Sequence, residues 1–165
     1  IDPTAWISEH AIVDQGVEIG PNSKIWEFSK IRSGVRIGAN VTIGMGVYIG
    51  PGVVIGDDCK IQNYSLIYEP AILESGVFIG PGVVLTNDKY PSAVNEDGSK
   101  KNETDWTISA VLVRRRASVG AGAICVAPLT IGVSAIVGAG SVVTRDVKDF
   151  AKVVGVPAKP VVGDL

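Results

Sequence analysis

A period of six residues runs through nearly the whole chain and limits what it can fold into. From Ile7, every sixth residue up to Leu85 is Ile, Val or Leu: Val13, Ile19, Ile25, Ile31, Ile37, Ile43, Ile49, Ile55, Ile61, Ile67, Leu73 and Ile79 fill the series. Two residues before each stands a small or β-branched side chain, as in Ala5, Ala11, Val17, Ser23, Ser29, Val35 and Cys59. The pattern resumes at Val113 and continues through Val119, Cys125, Ile131, Val137 and Val143. Two inward residues separated by one outward residue, repeated every six, match neither a helix nor an ordinary hairpin. They match a short strand and a turn, three times per coil, around a narrow triangular prism. Glycine often follows the large aliphatic (Gly20, Gly38, Gly44, Gly50, Gly56, Gly80), where the chain must turn sharply. The expected fold is all-β, a parallel β-helix, with no helical segment before the C-terminal tail.

Leu85 and Val113 stand 28 residues apart where the hexad needs six, so 22 residues must leave the prism as a loop, placed at 86–112. Its composition is polar (Asn95-Glu96-Asp97-Gly98-Ser99-Lys100-Lys101), and a long loop on a rigid scaffold is the usual place for function. The chain thus reads as a β-helix domain over 1–147 carrying that loop, and a tail over 148–165 packed on or beyond the last coil.

Composition closes several routes. A net charge of −2 leaves no basic excess to neutralise phosphates, so no nucleic-acid partner is expected. No apolar run reaches membrane-spanning length and no signal segment opens the chain, so no membrane partner and a cytoplasmic location are expected. Two cysteines are too few for a disulfide framework or a zinc site. Both occupy inward positions and read as buried filler.

The hexads resemble those of hexapeptide-repeat acyltransferases over residues 1 to about 147. Lys60-Ile61-Gln62-Asn63, Gly80-Pro81, and Leu85-Thr86-Asn87-Asp88-Lys89-Tyr90-Pro91 opening the loop further resemble bacterial nucleotide-amino-sugar N-acetyltransferases. The closing run Val153-Val154-Gly155-Val156-Pro157-Ala158-Lys159 resembles the closing segment of many hexapeptide-repeat acyltransferases. The resemblance implies a left-handed β-helix and a homotrimer with active sites between subunits. It also implies acetyl-CoA as co-substrate, no metal, and transfer to a nucleotide-sugar amine for surface polysaccharide biosynthesis. One departure stands out. The segment Ile25-Trp26-Glu27-Phe28-Ser29-Lys30 lacks the histidines associated with it in relatives.

Eighteen residues make one coil, so residues eighteen apart stack. Arg32, Gly50, Tyr68 and Thr86 form one corner column, and Ser33, Pro51, Glu69 and Asn87 the next. Asn87, Asp88 and Glu69 are the candidate catalytic residues: Asn87 orients an amine, and the two carboxylates bind it or accept its proton. Arg32, Tyr68, Tyr90, Trp26 and Asn63 are the candidate substrate contacts. Gly120-Ala121-Gly122 and Gly138-Ala139-Gly140 suit an extended pantetheine arm, so Gly120, Ala121, Gly138 and Ala139 are assigned to the cofactor, with Arg145 and Lys159 for its phosphates. The sole histidine, His10, lies over four coils from Asn87, or ~20 Å at the inter-strand spacing. A base must reach hydrogen-bonding distance, so His10 is a surface residue. An amine acceptor needs no strong base. A hydroxyl acceptor, the leading alternative chemistry, fits the missing histidine less well. A γ-class carbonic anhydrase, built on the same prism, needs three metal-binding histidines, and a non-catalytic scaffold would not need the Asn87 loop.

Overall fold

A computed structural model describes residues 1–163. The hexads form twenty strands of two or three residues, from Trp6–Ile7 to Val142–Val143. They stack in register into three parallel sheets, with Trp6 opposite Lys24 and Ile7 opposite Ile25 eighteen residues on. The first face runs from Trp6–Ile7 to Lys152–Gly155, the second from Ile12–Val13 to Val142–Val143, and the third from Glu18–Ile19 to Leu129–Ile131. The result is a parallel β-solenoid of about eight turns. No helix among the described residues is long and apolar enough to cross a membrane.

The hexad aliphatics fill the interior. Ile25, Ile31, Ile43, Ile49, Ile61, Ile67, Ile79 and Leu85 are fully buried, each stacked between its equivalents one coil away. Where the small inward residue is serine, its hydroxyl needs a partner inside the prism. Ser23, Ser29 and Ser65 donate to the carbonyls of Gly38, Gly44 and Gly80 in the next coil, each at 2.8 Å. Cys59 and Cys125 are buried and unpaired.

Corners recur with a local device. A side chain of one coil sits above the glycine of the coil before and accepts the N–H of the residue after that glycine. Asp57 does so for Ala39 at 2.8 Å, Asn63 for Met45 at 3.0 Å, and Asp149 for Val133 at 2.7 Å. The glycine is obligatory, because a Cβ at Gly38, Gly44 or Gly132 would collide with the capping oxygen.

The excursion is narrower than 86–112. Thr86 still stacks, donating its N–H to Cys125 O at 3.0 Å, and Val111–Val113 is already in register with the coil below. Ser109 N–H donates to Asn87 O at 2.9 Å, which ties the neck. The loop is ordered around Asp105, which accepts from Asn102 N–H at 2.9 Å and from Asn95 Nδ2 at 3.2 Å. These bonds, the Asn102 one first, lower the carboxyl pKa below its ordinary value. Beyond the prism, Lys152–Gly155 adds a parallel strand to the first face and Ala158–Val161 folds back antiparallel on it.

Candidate functional site

The corner between the second and third faces carries most of the expected site. Its column Asp14, Arg32, Gly50, Tyr68, Thr86 is joined by backbone bonds from one coil to the next, as the eighteen-residue spacing requires. Glu69 and Asn87 occupy consecutive coils of the neighbouring column, ~4.8 Å apart along the axis. Asp88 follows at the loop neck, its Oδ1 accepting Tyr90 N–H at 2.8 Å. Tyr90 itself is exposed, with Lys89 Nζ 5.6 Å from its ring centroid. Tyr68 packs on Tyr48 at 5.4 Å between ring centroids. Arg32 lies two coils from Glu69 and is bound to Asp14, Nε to Oδ2, at 3.0 Å, with Lys30 on the other carboxylate oxygen. These contacts hold Asp14 below the usual carboxylate range, with the Lys30 hydrogen bond as the largest cause.

Glu69 breaks the corner pattern. Its Oε2 sits over Gly50, where Asp57 sits over Gly38 and Asn63 over Gly44. The residue after Gly50 is Pro51, which has no N–H to offer. Glu69 Oε2 is therefore buried with no hydrogen-bond partner among the described residues. A buried carboxylate oxygen without a donor is costly, and its presence in a folded protein calls for a reason.

The corner between the first and second faces holds the remaining candidates, and one chain does not bring the two groups together. Trp26 packs edge-on against Trp6 at 5.1 Å and lines a cavity of about 470 Å³ with Met45, Lys60, Gln62 and Asn63. Asn63 Oδ1 accepts Met45 N–H, which fixes the side chain with its amide NH₂ free to donate to a ligand. Gly120 and Gly138 are packing positions rather than open backbone. A Cβ on Gly120 would lie 2.6 Å from Ala139 N, and one on Gly138 would lie 3.0 Å from Val154 Cγ2. The open glycines are Gly122 and Gly140, at φ +66° and +67°, with nothing within 4 Å of a Cβ. Ala121 and Ala139 occupy the position whose N–H is capped elsewhere, yet no side chain caps them. Their N–H groups have no acceptor among the described residues. Arg145 continues the Asn87 column two coils on, and shares a cavity of about 440 Å³ with Lys148 and Lys159.

Bacterial transferase hexapeptide repeats match residues 34–68 and 52–87, and the hexapeptide repeat of succinyl-transferase matches 115–145, together half of the chain. The chain belongs to the hexapeptide-repeat transferase family. Repeats of this family fit the left-handed β-helix expected above. Among curated relatives, the dTDP-3-amino-3,6-dideoxy-α-D-galactopyranose 3-N-acetyltransferase of Aneurinibacillus thermoaerophilus is 52% identical over 48 residues, 29% of this chain and 25% of that protein. The bifunctional protein GlmU of Thermosipho africanus is 33% identical over 156 residues, 94% of this chain and 30% of that protein. The chain therefore spans between a quarter and a third of the length of these relatives. A solved mutant of GDP-perosamine N-acetyltransferase from Caulobacter crescentus, in complex with CoA and GDP-perosamine, superposes with a TM-score of 0.57 at 25% identity, over 98% of this chain and 57% of that one.

His10 is where the coil count puts it. It lies on the first coil, exposed, with its ring stacked on Phe28 at 5.7 Å. Sequence reasoning missed Pro51, whose position eighteen residues before Glu69 was a readable signal once the corner device is known. It also missed Lys101 and Trp106, which the loop folds back toward Asp88 and which carry no periodic signal.

Proposed function

We propose that this chain is an N-acetyltransferase that moves an acetyl group from acetyl-CoA to the amine of a nucleotide-linked amino sugar, for surface polysaccharide biosynthesis. The observation that carries the reading is the orphaned Glu69 oxygen one coil from Asn87. With no donor on its buried oxygen, because Pro51 has no N–H, the half-buried Glu69 carboxylate keeps its full negative charge to attract a sugar ammonium. Asn87 orients the amine through its side-chain carbonyl, and Asp88 adds a second negative charge at the loop neck. The amine nitrogen attacks the thioester carbonyl to form the C–N bond. Collapse of the tetrahedral intermediate breaks the C–S bond, and the thiolate leaves with the surplus amine proton as the CoA thiol. Much of the acceleration comes from positioning and from N–H donors facing the developing oxyanion.

The uncapped N–H groups of Ala121 and Ala139 suit the amide and carbonyl oxygens of an acylated pantetheine arm, beside the open shelf of Gly122 and Gly140. The cavity shared by Arg145, Lys148 and Lys159 suits its phosphates. Because these groups sit on two corners, a complete site needs the second-corner residues of one protomer beside the first-corner residues of another. The second face between them supports self-association. Its outward residues Tyr48, Leu66, Val84, Ile124 and Val142 form an apolar stripe over five consecutive coils. A homotrimer meets that requirement with parallel neighbours at equal height.

Calorimetric titration with acetyl-CoA, followed by a panel of UDP- and dTDP-linked amino sugars, tests the reading. One saturable acetyl-CoA site per subunit is expected. Asn87→Ala should lower kcat far more than it weakens acetyl-CoA binding, while His10→Ala leaves turnover unchanged. Folded protein that binds no acyl-CoA would make the chain a scaffold.

A further inference from the structure

The inserted loop leaves an open cavity where it meets the prism. A cavity of about 630 Å³ opens on a floor of Asn87 and Asp88 and is walled by Lys101, Asn102, Glu103 and Trp106. A second cavity of about 400 Å³ shares Trp106, Asp88 and Lys101 in its lining. Trp106 is half-buried and lines both, and its indole N–H has no acceptor among the described residues. An indole N–H with no protein acceptor beside an open cavity is free to donate to a ligand bound there.

The lining chemistry narrows what that ligand is. Asp88 and Glu103 are acidic, and Lys101 is the one cation in the larger cavity. The charge of Lys101 is already felt by Asp105, whose carboxyl it helps to hold down. The cavity is thus net negative, which disfavours a diphosphate and favours a cationic amine. A flat indole, two amide side chains and two carboxylates lining one cavity match a pyranose ring, whose C–H face is apolar and whose rim carries hydroxyls.

We propose that the loop cavity is the pyranose subsite, with Trp106 as the stacking wall that holds the amino-sugar ring over Asn87 and Asp88. This rests on the acetyltransferase reading above and extends it. The loop, rather than the prism, selects the sugar, while the nucleotide is bound elsewhere. Trp106 is here a positioning residue and takes no part in bond making.

Calorimetry on the full chain tests this with three probes: the UDP- and dTDP-linked 3-amino and 4-amino sugars, free UDP and dTDP, and acetyl-CoA. Trp106→Ala should weaken the amino-sugar nucleotide about tenfold, equivalent to ~1.4 kcal/mol. Free nucleotide and acetyl-CoA should stay within about twofold, which also shows that the variant is folded. Trp106→Phe should recover part of the lost affinity, because the stacking face returns without the N–H. An unchanged sugar affinity, an equal loss for free nucleotide, or a wild type that binds no amino-sugar nucleotide would each overturn the proposal. Amino-sugar binding that depends on Trp106 in a protein blind to acetyl-CoA would keep the pocket and remove the acyl-transfer reading instead.

Discussion

Replacing Pro51 by alanine asks directly why Glu69 is unpaired. The substitution restores the N–H that Ala39 presents to Asp57 and Met45 to Asn63, beneath an oxygen already in the capping position. A hydrogen bond to a charged acceptor contributes about 1.5–3 kcal/mol in buried settings. Glu69 is only half-buried, so the lower end applies. Losing proline frees the unfolded chain and costs about 0.4–1 kcal/mol. The expected net effect is a stabilisation of about 1 kcal/mol, or a rise of about 2–4 °C in Tm for a chain of this length. Activity should move the other way. With Oε2 engaged, the carboxylate holds the amine less well, and KM for the amino sugar should rise while acetyl-CoA binding is unchanged. Thermal unfolding at fixed protein concentration, paired with steady-state kinetics, reads both, and the same substitution in a Glu69→Ala background supplies the control. A Pro51→Ala variant that is no more stable than wild type, or is equally stabilised without Glu69, would refute the claim that proline orphans the carboxylate.

Two further outcomes follow from the prism itself. Ile61 is fully buried between Ile43 and Ile79, so Ile61→Ala should cost about 2–5 kcal/mol in urea unfolding, and a loss under about 1 kcal/mol would contradict a close-packed ladder. Burial pushes the Cys125 thiol up to about 12 and raises Cys59 as well, so both stay protonated through pH 8. Neither should react with iodoacetamide in the native protein although both react after unfolding, and mass spectrometry that finds native Cys125 alkylated would place it outside the core.

The fold was legible in the sequence because one rule is repeated twenty times. A two-residue strand, an inward aliphatic and a corner must recur every six residues, or the prism cannot close, and no long-range choice has to be guessed. The same counting placed Glu69 and Asn87 on consecutive coils and His10 out of reach of both, since axial distance in a solenoid is sequence distance divided by eighteen. It placed the glycines less well. Gly120 and Gly138 were read as open backbone, whereas the stacked coil fills the space their missing Cβ atoms leave, and the open pair is Gly122 and Gly140.

What only the tertiary structure decided is which polar atoms were already satisfied. Asn63 and Asp57 accept neighbouring N–H groups, Arg32 gives its Nε to Asp14, and Glu69 Oε2 is buried with no donor among the described residues, because proline stands where the donor belongs. The loop was likewise out of reach. Lys101 and Trp106 come to Asp88 through the bonds that close on Asp105 and through the neck between Asn87 and Ser109. Those contacts are aperiodic and depend on the chain's path in space, which a six-residue rhythm does not encode.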